Sequence, residues 1–191
     1  MEIGFGSGHS MQYLIKRGAK KIYGIDISEK QHGFTKELNK KAFADKKIQL
    51  FLQTMEKKIN IEPVDVVFSI YGFGWTIDPK KAIKLIYSYL KPGGKFIWSW
   101  DHSIFADTKD NNGKLDVTYS YHDEGEIYVQ KWNKTAPVYI TYRKTSTWFK
   151  LLREAGFEIT EYLEPMPASK PNHTSPYYTL KKAKYLPCAM V

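Results

Sequence analysis

Short apolar runs and helix-period stretches take turns along the first half of the chain. "KIYGIDI" (Lys21 to Ile27) reads as a strand. Ser28 then caps a helix whose positions Gln31, Phe34, Leu38 and Ala42 share a face with Ile27 at spacings of three and four, Gln31 being the weak member. "IQLFLQ" (Ile48 to Gln53) is the next strand, and "VDVVFSI" (Val64 to Ile70), nearly unbroken in apolar and β-branched residues, predicts a fully buried one. Asp78 as N-cap and Pro79 in the first turn open the clearest helix, with Ala82, Leu85, Ile86, Tyr89 and Leu90 along one side. "KPGG" (Lys91 to Gly94) stops it, and "KFIWSW" (Lys95 to Trp100) follows as a strand. Strand and helix in this alternation predict a parallel sheet with helices on its faces.

The second half has a different rhythm. "LDVTYSYHDEGEIYVQKW" (Leu115 to Trp132) predicts two alternating strands around an Asp-Glu-Gly turn, with "VYITYR" as a further short strand. "STWFKLLREAGFEITEYL" predicts a helix ended at Gly156 and then another strand. "AKYLPCAMV" reads as a final strand. With no repeats and no long linker, residues 1–191 are read as one domain, in which 101–147 is an aromatic-rich insert.

Composition narrows the class. Hydrophobic residues at 42% and charged residues at 26% are ordinary for a globular chain, and no apolar run approaches the ~20 residues of a membrane span. A lone cysteine, Cys188, cannot form an internal disulfide, which favours a reducing, cytoplasmic setting. The net charge of +9 raises the question of a nucleic-acid partner. The excess is lysine scattered over "KRGAKK", "KELNKKAFADKK", "DPKKAIK" and "LKKAKY", with arginine only at Arg17, Arg143 and Arg153. That distribution fits a solvated surface better than a phosphate-clamping one.

The chemistry starts at "EIGFGSG". Gly4, Gly6 and Gly8 stand between a strand end and a helix that carries Met11, Leu14, Ile15 and Gly18 on one side. Alternate glycines let the backbone turn sharply and approach a ligand closely, and the following helix start offers unpaired N–H groups to an anionic group. Asp26 ends the next strand, where an acid about 20 residues on takes ribose hydroxyls. A dinucleotide loop of the G-x-G-x-x-G type needs its third glycine at position 9, which is His9.

The pattern of Glu2, Gly4, Gly6, Gly8 and Asp26, with "LKPGG" further on, resembles the Rossmann-like S-adenosylmethionine-dependent methyltransferases. The likeness runs across nearly the whole chain, and "LREAGFEITEYLEPMP" is similar to the end of small-molecule members related to quinone-biosynthesis methyltransferases. It implies an α/β fold with a seven-stranded, mostly parallel sheet and helices on both faces. It implies S-adenosylmethionine as cofactor, S-adenosylhomocysteine as product, and a small-molecule methyl acceptor. An RNA- or protein-directed methyltransferase and an inactive cofactor-binding remnant are the alternatives. The resemblance places Glu2, Gly4, Gly6, Gly8, Asp26, Ile27, Thr54, Met55 and Ser69 at the cofactor. Thr54 and Met55 depart from the acidic and small residues usual beside the adenine.

Methyl transfer from a sulfonium needs alignment, a dry pocket and, for a protonated nucleophile, a base. Ligands bind at the carboxyl ends of parallel strands, so Tyr71, Trp75, Asp101 and His102 are expected around the methyl group, with His102, Asp101 and Tyr71 the catalytic candidates. The competing reading of Asp101 and His102 is local turn hydrogen bonding. His9, His32, His122 and His173 show no metal-ligand spacing and read as surface or loop residues. "SIYG" lacks the Pro-Pro-aromatic run of adenine amino-methylation. Pro187-Cys188 lies at the wrong end for cytosine C5 chemistry, so Cys188 reads as a buried apolar residue. The aromatics Phe105, Tyr119, Tyr121, Tyr128, Trp132, Tyr139 and Tyr142 are read either as a cover for the acceptor or as cross-strand pairs. Only Met1, Glu2 and Ile3 precede the first glycine where a parallel strand wants about five residues, so a leading segment on the order of thirty residues is expected to belong to the working enzyme.

Overall fold

The computed structural model describes residues 1–132, 136–167 and 178–190. The chain divides into two compact units, Met1–Ser99 and Trp100–Val191. The first contains β1 (Glu2–Ile3), α1 (His9–Lys16), β2 (Ile22–Asp26), α2 (Glu29–Leu38), α3 (Lys40–Ala44), β3 (Ile48–Leu52), β4 (Val64–Ile70), α4 (Pro79–Tyr89) and most of β5 (Leu90–Asp101). Its strands run parallel in the order β5-β4-β1-β2-β3. The second contains α5 (Ser103–Ala106), β6 (Thr108–Asn111), β7 (Lys114–Val117), β8 (Gly125–Trp132), β9 (Ala136–Tyr142), α6 (Thr145–Glu154), α7 (Leu180–Tyr185) and β10 (Ala189–Met190). There β10 adds an antiparallel sixth strand to the sheet by pairing with Trp100 and Asp101. No helix of the described residues is long and apolar enough to cross a membrane.

The first unit forms where the local signals put it. Ser28 accepts from the amide of Gln31, and Asp78 from that of Lys81, so one of the orphan N–H groups at each helix start finds a side-chain oxygen. Phe5, Met11, Ile22, Ala42 and Ile48 form a core under the first three strands, with Leu14 and Ile15 packed against it. On α4 the inner face is Ala82, Ile83, Ile86 and Tyr89, and the Tyr89 hydroxyl accepts from the amide of Ile59.

Several expectations need correction. The stripe of Gln31, Phe34 and Leu38 is not the buried face of α2. His32, Thr35 and Asn39 are, while Phe34 and Ile27 are exposed. The buried face is polar because it satisfies backbone carbonyls of the glycine loop, which hydrophobic periodicity does not register. Strand β4 buries Val67 and Ser69 and exposes Val66 and Ile70, so the unbroken apolar run conceals an alternation. The sheet has six strands among the described residues, not seven. After Gly156, Phe157 and Ile159 are half-buried and Glu158 and Thr160 exposed, yet no ladder forms. Alternation encodes a face, and a strand also needs a partner.

In the second unit β7 and β8 do not pair with each other. Instead β7 folds back on β6 across Asn112 (φ 52°) and Gly113 (φ 90°), and β8 pairs with β9. Consecutive positive-φ residues are what the favoured two-residue hairpin turn requires, and Asn-Gly is its strongest signal. Of the expected final strand, residues 183–185 fall in helix α7 and Ala189–Met190 are extended as β10; α7 is started by Thr179, whose side chain accepts from the Lys182 amide at 3.2 Å, and Cys188 is buried as read, against Phe105 and Ala183. Tyr128 and Tyr139 form a cross-strand pair with ring centroids 5.1 Å apart. His173 and the side chain of Trp132 lie outside the described residues.

Candidate functional site

The glycine loop is held from three directions. Gly4, Gly6 and Gly8 have φ of 68°, 52° and 77°, values that favour glycine. A Cβ on Gly4 would stand 2.8 Å from the Cα of Gly72, so the ends of β1 and β4 close only because both residues lack side chains. The Gly4 amide donates to the Ile25 carbonyl at 2.8 Å. Behind the loop, the Thr35 hydroxyl donates to the Gly6 carbonyl (2.9 Å) and the Asn39 amide donates to the Gly8 carbonyl (3.2 Å). His32 lies against Phe5 and reaches the Asp26 carbonyl, so it is a buried helix residue rather than a surface one.

Asp26 closes the arrangement. One carboxylate oxygen accepts from the Gly6 amide and the other from the Ser28 amide, each at 2.9 Å. A carboxylate has about four lone-pair sites, so each oxygen keeps acceptor capacity for a ligand.

These residues face a cavity of about 580 Å³. Gly4 and Gly6 form its floor. Ile25, Asp26, Ile27 and Gln31 make one wall, Gln53, Thr54, Met55 and Glu56 a second, and Ile70, Tyr71, Gly72, Trp75 and Ile77 a third. The size is that of a small-molecule site, and the apolar wall with a few placed polar groups is the usual composition. Ile27 and Ile77 are 72% and 68% exposed, an apolar rim that a buried core would not leave open. Glu56 ties two walls together, accepting from the Thr76 hydroxyl (2.7 Å) and the Ile77 amide (3.2 Å). Tyr71 has φ 53°, a strained value for an aromatic residue, directly after β4.

Glu2 stands two residues ahead of the cavity floor and is 2% exposed. One of its oxygens accepts from the Ser10 hydroxyl at 2.5 Å, and the other has no hydrogen-bond partner. Burial pushes its carboxyl up to about 7, with the Ser10 bond opposing and the neighbouring Asp26 charge adding to the rise.

Of the residues singled out in the sequence, Gly4, Gly6, Asp26, Ile27, Thr54, Met55, Tyr71 and Trp75 line this one cavity. Gly8 is buried against Thr35. Ser69 is not part of the lining: its hydroxyl donates to the Ile3 carbonyl and accepts from the Phe73 amide, both at 2.7 Å, which joins β1, β4 and the turn after β4. Asp101 and His102 belong to the second unit. There His102 Nδ1 accepts from the Ile104 amide (3.2 Å), and Nε2 faces a Glu164 oxygen at 3.0 Å. Both ring nitrogens are thus engaged. The sequence reading missed Thr35 and Asn39 as loop holders, and Gln31, Gln53, Glu56 and Ile77 as walls. The spacing of Thr35 and Asn39, one turn apart on the helix that follows Asp26, is the signal that would have pointed to the first two.

Residues 1–98 match the family model described as the methyltransferase domain. The chain belongs to this methyltransferase family. An uncharacterised protein of Haemophilus influenzae is 29% identical over 183 residues, 90% of this methyltransferase and 71% of the relative. The uncharacterised methyltransferase YdaC of Bacillus subtilis is 34% identical over 97 residues, and that match spans about half of each protein. A solved structure from Listeria monocytogenes, assigned as an S-adenosylmethionine-dependent methyltransferase, superposes with a TM-score of 0.81 at 25% identity, covering 99% of this methyltransferase and 85% of that chain. The family match falls on the first unit, which carries the loop, Asp26 and the cavity.

Proposed function

We propose that this methyltransferase takes the methyl group of S-adenosylmethionine and passes it to a small organic acceptor. The observation that carries the reading is a single cavity whose floor is the glycine loop, whose side holds a carboxylate with acceptor capacity to spare, and behind which a buried acid keeps one oxygen unpaired. S-adenosylmethionine is the cofactor and S-adenosylhomocysteine the product. Glu2 would hold the ammonium of the amino-acid tail, because a buried carboxylate oxygen without a donor is costly until a cation or N–H group arrives. Gly4, Gly6 and Gly8 let the backbone approach that tail, Asp26 accepts from the ribose, and Ile27, Thr54 and Met55 flank the base.

The bound sulfonium supplies an activated methyl group and a neutral thioether leaving group. The chain's own contribution is alignment and exclusion of water. Tyr71 and Trp75 offer aromatic faces to a cation from the wall after β4. The charged residues that line the cavity are both acids, Asp26 and Glu56, so the site suits an apolar, neutral or cationic acceptor better than an anionic one. Tyr71, Asp101 and His102 remain the proposed proton-handling residues, and His102, whose Nδ1 accepts from the Ile104 amide, can take a proton on that nitrogen only by giving up that bond. The buried Cys188 suits a cytoplasmic setting. The net charge of +9 keeps an RNA-directed reaction as the second reading, which salt-dependent RNA binding, if found, would favour.

Titration calorimetry with S-adenosylmethionine, S-adenosylhomocysteine and NAD tests the cofactor, and an acceptor screen with the bound protein tests the class. Binding of the two sulfur compounds and not of NAD is the expected result. Preference for NAD overturns the reading.

A further inference from the structure

Among the described residues of the first unit, two buried side-chain polar atoms lack a hydrogen-bond partner: Oε2 of Glu2 and Oε1 of Gln31. The first is accounted for by the amino-acid tail of the cofactor. The second belongs to no motif. Gln31 sits in the first turn of α2 and lines the cavity. Its backbone amide donates to the Ser28 hydroxyl oxygen, and the Ser28 amide donates to Asp26, so Gln31 is tied within one turn of the ribose-binding carboxylate. That oxygen is closed off in the empty protein, where a missing donor is costly, but the half-buried side chain lines the cavity, so a turn of its terminal amide brings the oxygen to a donor there.

Resting on the cofactor reading above, we infer that Gln31 is a further cofactor-binding residue, whose side-chain amide bonds a ribose hydroxyl of the adenosyl group beside Asp26. The chemistry favours the sugar over the base. Both Asp26 oxygens already hold a backbone amide, whereas a ribose brings two hydroxyls, each able to donate. Sharing that diol between Asp26 and Gln31 satisfies the orphan atom without displacing either amide.

The test is calorimetry of wild type, Gln31→Leu and Gln31→Glu against S-adenosylhomocysteine and its 2′-deoxy and 3′-deoxy analogues, with the melting temperature of each ligand-free protein. Gln31→Leu should bind S-adenosylhomocysteine on the order of fivefold more weakly. It should lose nothing against whichever deoxy analogue lacks the bonded hydroxyl, and Gln31→Glu, which keeps an acceptor, should recover most of the loss. The ligand-free Leu variant should melt no lower than wild type, because it removes an unpaired atom; a structural glutamine would lower it. Equal affinity of wild type and Gln31→Leu for S-adenosylhomocysteine, or an equal loss against all three ligands, overturns the inference while the cofactor reading stands. A wild type that binds none of the three overturns both.

Discussion

Each unit of the chain carries a hollow, and the two differ in what they leave unmade. The one in the first unit, about 580 Å³, is floored by glycines and walled by apolar side chains, and its polar groups are held ready: Asp26 has lone pairs to spare and Gln31 an unpaired oxygen. The one in the second unit, about 200 Å³, is lined by Tyr119, Asp123, Glu124, Glu126 and Tyr142 among others. It contains more acid, and Glu124, the member of that set with the most partners, is already engaged. Glu124 accepts from Thr147 (2.8 Å) and lies 3.1 Å from the Lys144 ammonium, and these bonds hold its carboxyl below the usual range against the opposing effect of burial. Tyr142 donates to Asp107 at 2.5 Å. A ligand site declares itself less by its count of charges than by polar atoms kept buried and unsatisfied at its wall.

The sharpest break in this contrast is glycine exchange. Gly4→Ala meets the backbone of Gly72 in a left-handed conformation and should cost about 2 kcal/mol or more of stability and abolish S-adenosylhomocysteine binding. Gly125→Ala, at the second hollow with open space around the added carbon, should stay within about 0.5 kcal/mol. Denaturant titration of the pair measures the difference, and equal costs would mean that the loop is not specially constrained.

Next in size is Asp26→Asn. It leaves the side chain's shape and removes the charge that two amides share and that the proposed ribose contact would use, so affinity for S-adenosylhomocysteine should fall on the order of thirtyfold by calorimetry. Unchanged affinity would take the sugar away from this carboxylate.

Smaller, but more diagnostic, is the pH dependence set by Glu2. Burial raises its folded value to about 7, above the ordinary 4.5, so the native protein keeps a proton that the unfolded chain has released. This group's contribution to stability therefore falls as pH rises between those two values. A ligand ammonium needs the ionised form, so affinity should rise with pH through 7, by about tenfold from pH 6 to pH 8, with proton release on binding near neutrality. Calorimetry in buffers of different ionisation enthalpy counts the protons, and Glu2→Gln should flatten the profile.

The smallest effect is expected at the second hollow. Glu124→Gln loses a partly exposed ion pair and should cost under about 1 kcal/mol, with S-adenosylhomocysteine affinity untouched. A change in that affinity would erase the contrast between the two hollows.

What was legible in the chain follows the range of the physics. The helix starts at Ser28 and Asp78, the stop at "KPGG", the left-handed turns at Gly4, Gly6 and Gly8, and the strand ending in Asp26 are set by neighbours a few residues apart, so they could be read from the residues alone. The Asn112-Gly113 turn was equally legible, and the alternation on either side of "HDEG" drew attention to the wrong hairpin. Which face of α2 turns inward was settled by long-range contacts, because Thr35 and Asn39 bond loop carbonyls some thirty residues away and follow no apolar period. The fold alone settled that the segment after Gly156 finds no strand to pair with among the described residues, and that the Gln31 oxygen ends without a donor there. Pairing and satisfaction are properties of two groups brought together, and a linear pattern specifies one of them at a time.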